Sequence, residues 1–121
     1  VPQPFDKVTH EMLRPDGIYG VAKAWGESLG RHFSDEYGLS VLCIRIGSVR
    51  RENCPQNTRE FAVYLSHRDV VQIICKCINA PESLLYDVFL ATSDNKWGWR
   101  DLEHPKQVLG YEPKDTSDVF V

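Results

Sequence analysis

Long apolar runs, an excess of basic residues and metal-type cysteine spacing are all missing from this 121-residue sequence. The longest apolar stretches, such as residues 70–74, are broken by polar side chains (here Gln72), far short of the roughly 20 residues that cross a bilayer. A membrane span is therefore not expected. Lys and Arg number 14 against 17 Asp and Glu, for a formal net charge of -3. That balance does not suit a protein that coats nucleic acid. The first residues, Val1-Pro2-Gln3-Pro4-Phe5-Asp6-Lys7, have no apolar leader region, so no secretory signal is expected there. The absence of an initiating Met suggests a cut or partial chain. The four cysteines are Cys43, Cys54, Cys75 and Cys77. Cys75 and Cys77 are two apart, which is not a zinc-knuckle spacing, and no Cys/His cluster stands out, so no metal is expected. They read as reduced thiols in a cytoplasmic protein.

What is present is an ordinary globular composition, 42% hydrophobic and 26% charged, which excludes disorder. No repeat or low-complexity tract occurs. The first fourteen residues, with Pro2 and Pro4, read as a loop. Pro15 and Asp16 then open a helix that runs to Tyr37, with Gly38 as its stop. Ile18, Val21, Ala22, Trp25, Leu29 and Phe33 recur there at spacings of three and four. Residues 39–46 are β-branched and apolar, the pattern of a buried parallel strand ended by Gly47. Residues 48–63 read as a loop, locally basic, with four Arg against one Glu over 45–59. Ser66 caps a helix over 68–79, with Asp69 in its first turn and Pro81 after it. A second strand is expected over 86–91, and a short helix over 99–109 ended by Gly110.

Helices alternating with strands imply an α/β layer fold. Two strands alone make a poor sheet, and the first helix has no strand before it. The pattern is that of the second half of a larger α/β domain.

Tyr19 and Lys23 are the residues with a chemical use. Four apart on a helix, they share one face about 6 Å apart at Cβ. A phenol is a poor base at neutral pH, but a nearby ammonium favours the phenolate by charge attraction. Such a phenolate can take the proton of a substrate hydroxyl as hydride leaves for a nicotinamide. A Tyr/Lys pair alone also occurs on many solvated helix faces.

The surrounding residues resemble the extended short-chain dehydrogenase/reductase family, the NAD-dependent epimerase/dehydratase group. Tyr19-Gly20, Ala22-Lys23 and Gly26-Glu27 are similar to its helix motif, and Arg45-Ile46-Gly47 to the end of its next strand. Tyr64-Leu65-Ser66-His67-Arg68-Asp69 is similar to its aromatic-Leu-Ser-His-Arg-Asp segment. The resemblance covers about residues 15–115. Within the group, Arg45-Ile46-Gly47-Ser48, together with Arg59 five residues before Tyr64, resembles the uronate dehydrogenases.

The resemblance implies a Rossmann-like doubly wound parallel sheet, of which residues 1–121 would be the C-terminal half. It implies an NAD-dependent oxidation of the anomeric hydroxyl of a hexuronate to an aldarolactone. Tyr19 is then the base, and Lys23 steadies it and binds the nicotinamide ribose. Ile46 touches the cofactor, while Ser48 and Arg59 position the sugar, Arg59 through its carboxylate. Trp97 and Trp99 could stack on a sugar or simply close the core. His67 is a candidate polar contact near the site, although a capping or surface role fits it better, and His10, His32 and His104 carry no signal. Gly26 and Gly30 allow close packing of the first helix, either against a second subunit in a homodimer or against the sheet. The family's glycine-rich phosphate cradle is absent from these residues, and its catalytic serine would fall upstream of Val1, so this chain alone is expected to be inactive. Two alternatives stay open: a sugar-nucleotide epimerase or dehydratase whose Arg50, Arg51 and Arg59 face a diphosphate, and a non-catalytic remnant that binds or dimerises.

Overall fold

The computed structural model describes residues 7–121; the expectations for Pro2 and Pro4 lie outside them. Five elements were expected, and all five form. Helix α1 spans Gly17–Tyr37, strand β1 Val41–Ile46, helix α2 Glu60–Val63 and helix α3 His67–Ile78. Strand β2 spans Tyr86–Ala91 and helix α4 Glu103–Leu109, followed by a 3₁₀ turn at Ser117–Phe120. The two strands pair in parallel, from Val41 opposite Tyr86 to Ile46 opposite Ala91.

Gly38 ends α1 in the left-handed region (φ 66°) and returns its N–H to the Ser34 carbonyl at 2.9 Å. Pro15 stands just before the helix, not inside its first turn, and Asp16 makes no side-chain cap. The apolar positions that mark this helix do not make its contact with the sheet. Ile18 is 85% exposed and Trp25 67%, and Val21, Leu29 and Phe33 also face outward. The polar and small side turns inward instead. Ser34 donates to the Leu85 carbonyl at 2.9 Å, and the Tyr86 hydroxyl donates to the Glu27 carbonyl at 3.1 Å. At Gly30 a Cβ would come within 2.8 Å of Val41 Cγ1, so the helix can lie this close to the strand only without a side chain there.

Strand β1 starts at Val41, two residues later than expected, and is half-buried because β2 is its one neighbour among the described residues. Strand β2 is the better covered, with Val88 to Ala91 all buried. Gly47 donates to the Ala91 carbonyl at 2.8 Å and passes so close to the Val63 carbonyl that a Cβ would lie 2.1 Å from it. Leu65, Ile73, Phe89, Ala91 and Tyr111 form the core. Each large apolar side chain fully buried there contributes about 1.5–3 kcal/mol.

Helix α3 starts one residue early, but its cap is the expected one: Ser66 Oγ accepts the Asp69 N–H at 3.0 Å. Two expectations are corrected. The loop over 48–63 contains α2, whose Glu60 is fixed by contacts distant in sequence. The helix expected over 99–109 begins only at Glu103. Residues 99–101 instead bond to the incoming chain, with Val8 N–H on the Trp99 carbonyl and Asp101 N–H on the Val8 carbonyl, both at 2.8 Å.

Candidate functional site

The regular turn of α1 places Tyr19 and Lys23 on one face, with the Lys23 ammonium 5.3 Å from the Tyr19 ring centroid. Both line a cavity of about 550 Å³ with Gly26, Glu27, Cys43, Ile44, Arg45 and Ile46. Tyr19 is 76% exposed, so its hydroxyl is open to an incoming molecule. Ile46, the last residue of β1, presents an exposed apolar side chain to the same space. Three of the five sequence-expected site residues thus share one cavity.

The floor of this cavity carries an ion pair that joins two of the sequence motifs. Arg45 Nε donates to Glu27 Oε2 and Arg45 Nη2 to Glu27 Oε1, each at 2.8 Å. A planar guanidinium meeting a carboxylate through two bonds fixes orientation as well as charge. Arg45 Nη1 also donates to the Met12 carbonyl at 3.0 Å, tying the segment before α1 to the strand. The Arg45 guanidinium is held above its ordinary pKa chiefly by the hydrogen bond to Glu27. Cys43, in the same cavity, has its thiol pushed up, first by burial and then by the Glu27 charge, so it is a poor nucleophile.

Ser48 and Arg59 do not line that cavity. Ser48 lies two residues past Ile46, where its backbone bonds to Val63 and Leu65 and pairs with Tyr64. Arg59 is exposed at the start of α2. A separate apolar cavity of about 420 Å³ lies beside that helix, lined by Thr58, Phe61, Ala62, Trp97 and Val121. Trp97 is thus placed at a surface, whereas Trp99 is half-buried with the Arg100 guanidinium over its ring.

Sequence reasoning missed Arg100. It donates to the Arg45 carbonyl at 3.1 Å and has no carboxylate partner among the described residues. Its pKa is held down, first by burial and then by the charges of Arg45 and Arg59. The Arg45 guanidinium is already paired with Glu27 and Arg59 is exposed, so of these three arginines Arg100 is the one that is half-buried without a carboxylate partner among the described residues. No local pattern reveals this, since the three arginines come from a strand, a loop and the turn before α4.

The loop that carries Arg59 is anchored at Glu60. The Glu60 carboxylate pairs with the Arg50 guanidinium and accepts from Gln56 N–H at 2.8 Å. His67 steadies the same loop: its backbone N–H donates to Asn53 Oδ1 at 2.8 Å, and its Nε2 bonds to the Arg50 carbonyl at 2.6 Å. The Arg50 hydrogen bond, followed by the Gln56 N–H, holds the Glu60 carboxyl down from 4.5 to about 2. A carboxyl depressed in the folded state stabilises above its unfolded pKa, and that contribution is lost as pH falls through the folded value. The loop is therefore expected to stay anchored at neutral pH and to release between about pH 4.5 and 2. An NMR titration of the Glu60 carboxyl carbon tests this. The midpoint should lie near 2 and rise toward the ordinary range in Arg50→Ala; a midpoint near 4.5 in the parent chain would refute the anchor.

No family model matches the chain. Similarity to individual proteins is extensive. The chain is 37% identical over 111 residues to an NAD-dependent glucose-6-phosphate dehydrogenase of Haloferax volcanii, covering 91% of this chain and 42% of that protein. It is 38% identical over 111 residues to a uronate dehydrogenase of Pseudomonas putida, covering 92% and 40% respectively. The crystal structure of a uronate dehydrogenase variant from Agrobacterium tumefaciens complexed with NAD superposes with a TM-score of 0.86 at 35% identity. That match covers 95% of this chain and 42% of the enzyme. The chain spans about two-fifths of the length of the curated relatives it matches. Over nine-tenths of its own length it is a homologue of the uronate dehydrogenases and related NAD-dependent dehydrogenases, and it has their Rossmann-like α/β fold in the part it spans.

Proposed function

We propose that residues 1–121 are the C-terminal part of an NAD-dependent epimerase/dehydratase-type domain that oxidises the anomeric hydroxyl of a hexuronate to an aldarolactone. The observation that carries this reading is the meeting of Tyr19, Lys23 and Ile46 around one open cavity. These residues fit a nicotinamide nucleoside: an ammonium for ribose hydroxyls, a phenol beside it, and an exposed apolar side chain for one face of a ring. The pyrophosphate has no glycine-rich cradle in the 121 residues. NAD⁺, when bound, supplies the hydride acceptor.

The residues of this chain then do the acid–base work. Tyr19 Oη takes the proton of the anomeric hydroxyl as the C–H hydride departs, leaving the lactone carbonyl. The Lys23 ammonium steadies the phenolate. Arg59 meets the substrate carboxylate, and Ser48 hydrogen-bonds the sugar. A homodimer through α1 would cover the exposed apolar stripe of that helix (Ile18, Val21, Trp25, Leu29).

The test is a chimera joining the nucleotide-binding part of the Agrobacterium uronate dehydrogenase to this chain. The chimera should reduce NAD⁺ with D-glucuronate or D-galacturonate, and the 121 residues alone should not. Reduction with glucose 6-phosphate but neither uronate would transfer the reading to a phosphorylated aldose. A folded chimera that binds NAD⁺ and oxidises none of these sugars would refute the dehydrogenase assignment.

A further inference from the structure

We infer that His10, Asp87 and His104 form a binding site for a divalent transition-metal ion of the zinc class. The three residues come from the segment before α1, from β2 and from α4, so no spacing in the sequence announces them. One ring nitrogen of each histidine and one carboxylate oxygen of Asp87 all lie within 4.8 Å of one another, and all three residues are half-buried. His104 Nε2 is 2.7 Å from Asp87 Oδ1. The His10 ring stacks on the His104 ring at 3.6 Å between centroids, 8° from parallel. A second observation points to a ligand: His10 Nδ1 is buried and has no hydrogen-bond partner among the described residues. Buried polar atoms are nearly always paired, and an orphan calls for an explanation.

A ligand held by these donors would account for that orphan if His10 binds through Nδ1. Two imidazoles and one carboxylate are preferred ligands of Zn²⁺, and three protein ligands leave a fourth position for water. The pair of neutral rings and one carboxylate brings a single negative charge to a dication. Bonds of about 2.0–2.1 Å place tetrahedral ligand atoms about 3.3 Å apart. In the stacked arrangement the ring lone pairs run parallel, so on binding the His10 ring must swing out of the stack toward the ion, while His104 stays held between Phe89 and Asp87. The role is structural, and no electron or group is transferred. The ion would staple the segment before α1 to β2 and α4. That segment already bonds to residues 99–101 through Val8 and to Arg45 through the Met12 carbonyl. The ion thus fixes the approach to the helix that carries Tyr19 and Lys23. This inference is independent of the proposed reaction. Because metal and proton compete for the same lone pairs, affinity falls on acidification.

The experiment titrates Co²⁺ and Zn²⁺ into the reduced, chelator-stripped 121-residue chain. One equivalent of Co²⁺ should bind with the visible d–d absorption of a tetrahedral site and without a near-ultraviolet thiolate charge-transfer band. Saturating Zn²⁺ should raise the melting temperature by several degrees, since the ion binds the folded state. His10→Ala also loses the stack on His104, so the metal-free variant should melt a few degrees lower, and the test is the further rise with Zn²⁺, which should be absent in the variant. Its Co²⁺ affinity should fall at least about tenfold, and Asp87→Asn should act in the same direction. The double variant Cys75→Ser/Cys77→Ser should bind as the parent does. Absence of the cobalt spectrum, a thiolate band, or binding undiminished in His10→Ala would each overturn the site.

Discussion

Tyr19→Phe should lower kcat of the chimeric dehydrogenase by about 10²–10⁴-fold, the range a positioned acid–base group contributes. The substitution removes one oxygen and leaves the ring that lines the cavity. The Tyr19 hydroxyl makes no hydrogen bond among the described residues, and the side chain is 76% exposed. Stability should therefore change by less than about 0.5 kcal/mol, as for most surface substitutions. The affinity for NAD⁺ should also hold, because the Lys23 ammonium stays in place 5.3 Å from the ring. Loss of kcat with little change in sugar KM is the signature of an interaction made only as the proton moves. Lys23→Met should lower kcat as well and, on the proposed role of the ammonium toward the ribose, should additionally weaken NAD⁺. Steady-state kinetics of the two variants, with melts as controls, separate these effects. Retention of most of kcat in Tyr19→Phe would remove Tyr19 from the chemistry and return the Tyr/Lys pair to an ordinary helix face.

The parts of this fold that were legible in the sequence are those set by short-range chemistry. Gly38 in the left-handed region stops α1, Ser66 caps α3, and a strand is found over the six residues of β2. The Tyr19–Lys23 face follows from helical geometry alone. The illegible parts depend on long-range contacts. Periodicity finds α1, yet it does not say that Glu27, Gly30 and Ser34 are the residues that meet the sheet. Helix α2 forms where Glu60 is caught by Arg50 from ten residues away, so its segment reads locally as loop. Trp99 and Arg100 are claimed by Val8, 91 residues earlier at the nearer of the two, and drop out of the helix their neighbours suggest. Arg100 is brought beside Arg45 for the same reason, through the Arg45 carbonyl. Family resemblance named Ser48 and Arg59, but their placement away from the Tyr19 cavity is set by the Ser48–Tyr64 pairing and by the Glu60 anchor.

The largest stability effect is expected at Asp69, a carboxylate with no solvent exposure. Its Oδ1 accepts the Lys114 N–H at 2.7 Å, and its Oδ2 accepts the Ser93 hydroxyl at 2.6 Å and the Asp115 N–H at 3.1 Å. Ser93 Oγ in turn accepts the Ser66 N–H at 3.0 Å, and Ser66 Oγ donates to Asp115 Oδ2 at 2.6 Å. One side chain in the first turn of α3 thus joins the helix, the end of β2 and the C-terminal segment. The helix dipole favours a negative charge at that place. Asp69→Ala would strand two backbone donors and a hydroxyl. Hydrogen bonds to a charged group are worth about 1.5–3 kcal/mol each, and they are not additive within a network. A loss of about 4 kcal/mol is expected, which in a domain of this size lowers the melting temperature by about 20 °C. Asp69→Asn keeps the shape and one acceptor oxygen, and should cost about half as much. Urea unfolding measures both: the midpoint should fall with the slope unchanged, since the same surface is exposed. The damage should spread toward the site, because Ser93 also donates its backbone N–H to the Tyr64 carbonyl at 2.8 Å, and Tyr64 pairs with Ser48. Should Asp69→Ala cost less than about 1 kcal/mol, the network would be ornamental to folding, and the position of Ser48 would have to be explained by the Gly47 close approach alone.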